Sequence, residues 1–378
     1  MMDKHIIRSC VRNVLRLLPV QKNKIVFLNF DGKGFGENPK YIAEEILRQK
    51  LPCKLVWLVK GDAFVPDTIK KVKNGFNAFY ELATAKVIVS NCKTNVVTRL
   101  CKKKSQFYLQ TWHGDFALKY IEKEVEGMLS SDYVSTSKAD GAITDAAVSG
   151  SESFSQILKE SCWLSENCKI LEFGVPRNDL YFRGADYKDE LKNRFGFSPS
   201  DKILLYAPTL RDDGSTDCFN LDFEKLRVKL CQISNEKWKI VVRLHPYLSS
   251  KAGLFKYDDN IINGSLFDDQ QELFMISDVL ITDYSSIMGD FFLMEKPVFL
   301  YAPDLERYSN RSTGRGLRFQ LPIPFNHCQD ELEAQMAEFD EEEYAKEIKA
   351  FMQTCYKPFD DGHASERIVS VFKEVMRI

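Results

Sequence analysis

Two doubly wound α/β domains are the fold that this sequence predicts, and three observations carry the prediction. The chain has 378 residues, more than one hydrophobic core usually serves. Short, almost continuously apolar runs alternate with longer amphipathic stretches, as expected of parallel strands covered on both faces and joined by helical crossovers. The alternation occurs twice, on either side of the polar stretch FRGADYKDELKNRFGFSPS. A first domain is therefore expected at 21–185 and a second at 186–378, after a separate helical segment at 1–20.

Within 1–20, HIIRSCVRNVLRLL sets Arg8, Arg12 and Arg16 four apart, opposite Ile7, Val11, Val14, Leu15 and Leu18. A short cationic amphipathic helix suits the surface of an anionic membrane. It suits equally a terminal helix packed on its domain with solvated arginines. Strands of the first domain are expected at KIVFLNF (24–30), CKLVWLVK (53–60), AKVIVSN (85–91), SQFYLQTWHG (105–114), SDYVSTS (131–137) and CKILEFGVP (168–176). Asn38-Pro39 is expected to cap and open a helix through KYIAEEILRQK. The second domain repeats the scheme with KILLYAPTL (202–210), KWKIVVRLHP (237–246), DVLITDY (278–284) and KPVFLYAP (296–303). The acidic run EFDEEEYAKE reads as a solvated helix face.

Composition removes several function classes. Lys and Arg number 52 against 54 Asp and Glu, a net charge of -2, which argues against a nucleic-acid protein that works through a basic surface. The ten cysteines include no CxxC pair, so reduced thiols are expected rather than a disulfide framework or a zinc finger. No apolar run approaches the roughly 18 residues of a spanning helix. The N-terminus lacks the uninterrupted apolar core of a signal peptide, which predicts a cytoplasmic chain.

Ligands of open α/β sheets bind beyond the carboxyl ends of the strands, so the residues there carry the functional reading. They are Trp112-His113-Gly114, Pro176-Arg177-Asn178-Asp179, Pro208-Thr209-Leu210-Arg211, Arg243-Leu244-His245-Pro246 and Thr282-Asp283-Tyr284-Ser285-Ser286. Each alone has a plain structural reading as a turn or a cap. Together they bring a phosphate donor or a titratable group to five strand ends. Ser285 and Ser286 open a helix whose free N–H groups and positive dipole end suit an anion. Asp290, five residues after Ser285, could hold a hydroxyl or a cation, or accept from a neighbouring turn. The chain has no GxxxxGK[ST], and GKGFG does not fit the dinucleotide fingerprint, which disfavours P-loop NTPases and Rossmann dehydrogenases.

These segments resemble the CDP-glycerol glycerophosphotransferase family, the enzymes of teichoic-acid and related polyol-phosphate polymers. FLNFDGKGFGENPKYIAEEIL, TWHG, FGVPRNDL, LYAPTLRDD, VRLHP, DVLITDYSSIMGDFFLMEKPVFLYAPDLERY and DGHASERI follow one another in the family's order over roughly residues 24 to 370. Asp115 and Phe116 follow His-Gly where the family usually has a small or hydroxyl residue. The resemblance implies a GT-B-like pair of Rossmann-type domains facing an interdomain crevice. It also implies transfer of glycerol phosphate from CDP-glycerol to a hydroxyl of a lipid-linked saccharide or polyol-phosphate acceptor, with release of CMP, at the cytoplasmic face of the cell membrane. CDP-ribitol as donor, and a nucleotide-sugar glycosyltransferase of surface polysaccharide synthesis, are the alternatives.

Phosphoryl transfer asks a protein for positioning and charge stabilisation. On this reading His113 is the base toward the acceptor hydroxyl, and His245 stabilises or protonates the leaving pyrophosphate oxygen. The two roles are interchangeable at the level of sequence. Arg211 would clamp phosphate oxygens, with Ser285 and Ser286 seating the pyrophosphate and Asp290 holding a donor hydroxyl. Thr209 and Thr282 would stand beside them, and Arg177 and Asn178 would line the nucleotide. No cluster has metal-ligand spacing, although a divalent cation could reach the pyrophosphate through Asp283 and Asp290.

Overall fold

The computed structural model describes residues 14–15, 17–100, 102–211, 213–244, 248, 253–267, 269–312 and 316–378. The chain forms two compact units. The first runs to Asp115 and includes Ile121–Asp179 and Phe359–Ile378; the second comprises Phe116–Tyr120 and Leu180–Pro358. The break after Asp179 lies close to the expected one. The last segment, however, groups with the first unit instead of the second.

The first unit is built on a seven-stranded parallel sheet of β1 (Lys24–Leu28), β2 (Lys54–Val59), β3 (Lys70–Lys73), β4 (Val87–Ser90), β5 (Phe107–Gln110), β6 (Ala146–Ser149) and β7 (Lys169–Glu172). Its order is β3-β2-β1-β4-β5-β6-β7, so the chain reverses direction across the sheet between β1 and β4. Strand residues alternate between two apolar layers. Phe27, Trp57 and Val89 join one, with Ile42 and Ile46 of the helix Glu37–Arg48 and Ile368, Val369 and Phe372 of the helix Ala364–Met376. Val26, Leu28, Leu58, Ile88 and Tyr108 join the other, with Leu82 and Leu15. Burial on both faces is why these strands read as unbroken apolar runs.

Three expectations change here. SDYVSTS is not a strand; it opens the helix Ser131–Ile143, with the Ser130 side chain accepting from Tyr133 N. Its period-two look comes from small hydroxyl residues that also cap helices well. The helix after the glycine-rich turn begins at Glu37, and Asn38 turns its amide to the Thr111 and Trp112 carbonyls instead of capping. β3 escaped notice because an edge strand reading KKVK buries only Val72. At the N-terminus, Leu15 is 4% exposed whereas Val14 is 62% and Leu17 85% exposed. Arg8, Arg12, Arg16, Ile7 and Val11 lie outside the described residues.

The second unit holds a six-stranded parallel sheet of β8 (Lys202–Tyr206), β9 (Trp238–Val242), β10 (Ile261–Asn263), β11 (Val279–Thr282), β12 (Val298–Tyr301) and β13 (Phe325–Asn326). Its order, β10-β9-β8-β11-β12-β13, repeats the reversal between β8 and β11. The carboxyl ends of β8, β11 and β12 are tied by one buried guanidinium. Arg211 donates from Nε and Nη2 to Asp304 at 2.7 and 3.0 Å, and from Nη1 to Asp283 at 2.8 Å and the Thr209 carbonyl at 2.6 Å. Burial alone would raise the Asp304 pKa, but the bonds from Arg211 outweigh it and hold the carboxyl below its ordinary range. Tyr284 and Tyr308 stack at 3.6 Å beneath the same guanidinium.

Removing Arg211 would leave two carboxylates buried without their counter-charge. Arg211→Met should lower the stability of the full chain by about 3–5 kcal/mol, read from urea denaturation. The double variant Arg211→Met/Asp304→Asn should recover part of that loss. A single variant as stable as wild type would show that the cluster does not hold the strand ends.

Candidate active site

In the first unit the chain leaves β1 through a turn of left-handed backbone, adopted by Phe30 and Asp31 as well as by two glycines. Phe30, Asp31, Gly32 and Gly34 have φ of 40, 56, 104 and 132°. A Cβ on Gly32 would lie 2.9 Å from Lys60 N, so the turn folds back against the end of β2. Amides lace it to the neighbouring strand ends. Asn29 donates to the Gly34 carbonyl at 3.2 Å, Asn91 donates to Asn29 Oδ1 at 2.8 Å, and Phe30 N donates to Asn91 Oδ1 at 2.7 Å.

His113 stands beside this turn, after β5. Its Nδ1 is 2.8 Å from the Asn91 carbonyl oxygen. A carbonyl only accepts, so the ring proton sits on Nδ1 and the lone pair on Nε2. The ring stacks on Trp112 (centroids 5.0 Å apart) and meets the Phe30 ring edge-on at 5.3 Å. Solvent reaches His113, but protein atoms crowd it closely. That desolvation lowers its pKa below the usual imidazole value; the Asn91 carbonyl opposes the shift, and the charges of Arg177 and Lys93 add to it. At neutral pH the ring is an uncharged base.

Arg177 and Asn178, expected beside the nucleotide, are engaged inside the first unit. Arg177 Nη1 donates to Glu37 at 2.6 Å and to the His113 carbonyl at 3.1 Å, while its backbone N–H donates to Asn38 Oδ1 at 3.1 Å. Asn178 Nδ2 donates to Asp360 Oδ1 at 3.1 Å, and Val175 N donates to the same oxygen at 2.9 Å. Asp179 accepts from Ala364 N and Ser365 N at 2.9 and 2.8 Å, which caps the helix Ala364–Met376. Pro-Arg-Asn-Asp and DGHASERI are thus two halves of one clasp. Burial pushes the Asp360 carboxyl well above the ordinary range, with the charges of Asp115 and Asp179 adding to the effect.

The remaining expected residues lie in the second unit, apart from His245, which lies outside the described residues. Thr282 Oγ1 donates to the Ala207 carbonyl at 2.7 Å and joins β11 to the end of β8. Thr282 therefore ties strands together, and Arg211 directs four of its five N–H groups to Asp304, Asp283 and the Thr209 carbonyl. Thr209 N donates to Asp283 Oδ1 at 2.9 Å, and its hydroxyl is buried without a hydrogen-bond partner. Ser285 is half-buried and Ser286 exposed, just before the helix Met288–Leu293. Ser285 Oγ accepts from Ile287 N at 3.5 Å. Asp290 is buried and accepts from the Tyr181 hydroxyl at 2.9 Å. Gly289 lacks a side chain for a packing reason, since a Cβ there would lie 2.4 Å from Phe116 Cβ. Asp283 is taken up by Thr209 N, Tyr284 N and Arg211. Among the described residues no group of three or more His, Cys, Asp or Glu could hold a metal ion.

Asn91, Glu37, Asn38, Tyr181 and Asp304 were missed. Asn91 ends one expected strand and Asp304 follows another, so the strand-end rule applied to every strand would have found them. Glu37, Asn38 and Tyr181 act through contacts distant in sequence, which no local pattern reveals.

Residues 10–373 match the model of the CDP-glycerol:poly(glycerophosphate) glycerophosphotransferase family. The teichoic acid glycerol-phosphate transferase of Staphylococcus aureus is 31% identical, over 98% of this chain and 98% of its own length. The teichoic acid poly(glycerol phosphate) polymerase of Staphylococcus epidermidis is 31% identical over 92% of this chain, which spans only 50% of that protein. The teichoic acid ribitol-phosphate primase of Bacillus spizizenii is 28% identical over 93% of this chain and 91% of its own length. A His→Ala variant of the wall teichoic acid polymerase TagF superposes with a TM-score of 0.85 at 29% identity, covering 99% of this chain and 96% of that one. TagF has also been solved after soaking with CDPG. The strand-end motifs, the two reversing parallel sheets and the extent of the match agree: the chain belongs to the CDP-glycerol:poly(glycerophosphate) glycerophosphotransferase family.

Proposed function

We propose that this chain transfers glycerol phosphate from CDP-glycerol to a hydroxyl of a lipid-linked or polymeric acceptor in teichoic-acid-type synthesis. The observation that carries the reading is the His113 tautomer, in which Asn91 holds the proton on Nδ1 and leaves Nε2 basic. In the step, the acceptor oxygen attacks the phosphorus that bears glycerol, and its proton passes to His113 Nε2. The bond from that phosphorus to the bridging oxygen breaks, and CMP leaves with the electron pair. His245 is the companion proposed for that departing oxygen, and Ser285, Ser286 and Thr209 are the hydroxyls proposed for the donor. Asp290 is proposed to act on the donor through its place beside Tyr181.

CDP-ribitol is the second reading, supported by the similarity to a ribitol-phosphate primase. Incubation of the protein with CDP-glycerol, CDP-ribitol and nucleotide sugars, with a lipid-linked acceptor present, should release CMP fastest from CDP-glycerol. Faster turnover of CDP-ribitol would reassign the donor, and turnover of a nucleotide sugar alone would overturn the family's chemistry for this chain.

The base also has a pH signature. Because the His113 pKa is lowered, its neutral form persists to lower pH, and the acid limb of kcat/KM should lie below the ordinary histidine value of about 6.5. His113→Ala should cost on the order of 10²–10⁴ in rate and abolish that limb, with circular dichroism unchanged. An unaltered limb in the variant would remove His113 from proton transfer.

The acceptor reading makes the N-terminal segment a membrane-surface element. No helix among the described residues is long and apolar enough to cross a membrane, while Val14 and Leu17 present apolar side chains to solvent. Replacing Arg8, Arg12 and Arg16 with Glu should abolish co-sedimentation with anionic vesicles, since each basic residue near such a surface contributes about 1 kcal/mol. Wild-type protein that ignores the anionic lipid content would favour a helix packed on its own unit.

A further inference from the structure

Trp112, on which the His113 ring rests, has a left-handed backbone with φ 55°, unusual for a bulky residue. Hydrogen bonds hold it from both sides. Its N–H donates to Gln110 Oε1 at 3.1 Å, and its carbonyl accepts from Asn38 Nδ2 at 3.0 Å. Gln110 in turn donates to the Cys92 carbonyl at 3.1 Å and to Asp140 Oδ1 at 3.4 Å. Asp140 is 0% exposed and accepts from the Tyr108 hydroxyl at 2.9 Å and from Thr94 N at 3.2 Å. The buried cation beside it is Lys93, whose side chain is 3% exposed and whose Nζ is 3.8 Å from Asp140 Oδ1. Lys93 Nζ also donates to the Cys162 carbonyl at 3.4 Å and lies 5.6 Å from the centre of the Trp112 ring.

We propose that Lys93, anchored on Asp140, is a positioning residue for His113: it seats the Trp112 ring under the imidazole and supplies a fixed positive charge that disfavours imidazolium. The proposal rests on His113 as the base. The charged groups around His113 are Arg177 with Glu37, Lys93 with Asp140, and Asp31, which accepts from the Thr94 hydroxyl at 3.1 Å. Arg177 meets its carboxylate at 2.6 Å, whereas Lys93 and Asp140 are 3.8 Å apart. Both cations act on the ring, the Arg177 charge more strongly than that of Lys93. Desolvation first, and then both cations, favour neutral His113, against the opposing Asn91 carbonyl.

The test uses opposite signs. In full-length protein with labelled histidines, the imidazole titration of His113 is followed by NMR, with His113→Ala giving the assignment. Lys93→Met should raise the His113 pKa by at least about 0.3 unit, a twofold change in the charged-to-neutral ratio. Asp140→Asn, which leaves the cation uncompensated, should lower it further, and Lys93→Arg should leave it near wild type. Lys93→Met should also move the acid limb of kcat/KM upward and lower kcat, with the KM for CDP-glycerol within twofold of wild type. Shifts of the same sign in both charge variants, or none in folded protein, would overturn the proposal. Should Lys93→Met fail to fold, Asp140→Asn and Lys93→Arg decide it alone, an unmoved titration in Asp140→Asn being fatal. Full turnover by His113→Ala would sink the base reading separately, because the NMR coupling does not depend on activity.

Discussion

A backbone carbonyl accepts hydrogen bonds and never donates them, and this constraint at Asn91 organises the first unit's strand ends. It fixes the His113 tautomer only if the carbonyl stays where it is. The Asn91 side chain ties its own loop to Phe30 and Asn29, and Asn29 ties the glycine-rich turn to itself. Asn38, on the helix after that turn, holds Thr111 and Trp112, and Arg177 holds the His113 carbonyl. Three amides and one guanidinium thus bring four separate strand ends to one imidazole. The residues are polar because each must satisfy backbone groups that leave the sheet without partners. A larger residue at Gly32 would push the turn off the end of β2 and loosen the whole set.

The same logic explains why the C-terminal segment returns to the first unit. Its helix buries Ile368, Val369 and Phe372 against the helix Glu37–Arg48, which is the helix that carries Asn38. Asp179 caps it, and Asp360 takes the Val175 and Asn178 donors. Arg177 of the clasp, and Asn38, which accepts from Arg177 N, both touch the His113 loop. Burial, with the charges of Asp115 and Asp179 adding to it, pushes the Asp360 carboxyl well above its ordinary range, and the hydrogen bonds from Val175 N and Asn178 oppose that shift.

Much of this fold was legible in the sequence, for a definite reason. Strands buried on both faces must be apolar throughout, so β1, β2, β4, β8, β9, β11 and β12 announce themselves. Strands at or near the sheet edges, such as β3 with its lysines and the two-residue β13, carry little apolar signal. β6 is short and alanine-rich, and its neighbour SDYVSTS imitated a strand while forming a helix. His113, the proposed base, was legible because it follows a strand and precedes a glycine at the carboxyl edge of a parallel sheet. Its tautomer, and the clasp that turns Arg177 and Asn178 inward, depend on partners far along the chain.

The second unit shows what a strand-end arginine can bind besides a phosphate. An arginine there is equally suited to a phosphate and to a pair of carboxylates, and only the count of occupied donors separates the two. Arg211 has Nε, Nη1 and Nη2 on Asp304, Asp283 and the Thr209 carbonyl, and Arg243 turns Nη1 to the Gly264 and Phe267 carbonyls. Both cations therefore brace the sheet. Ser285 is different, because a hydroxyl that accepts from Ile287 N still has its own proton to donate. Ser286, exposed at the same turn, adds a second hydroxyl. Neutral donors of this kind bind an anion without first having to be separated from a carboxylate. Ser285 and Ser286, together with the buried Thr209 hydroxyl that has no hydrogen-bond partner, are donors of this kind among the residues proposed for the donor phosphates.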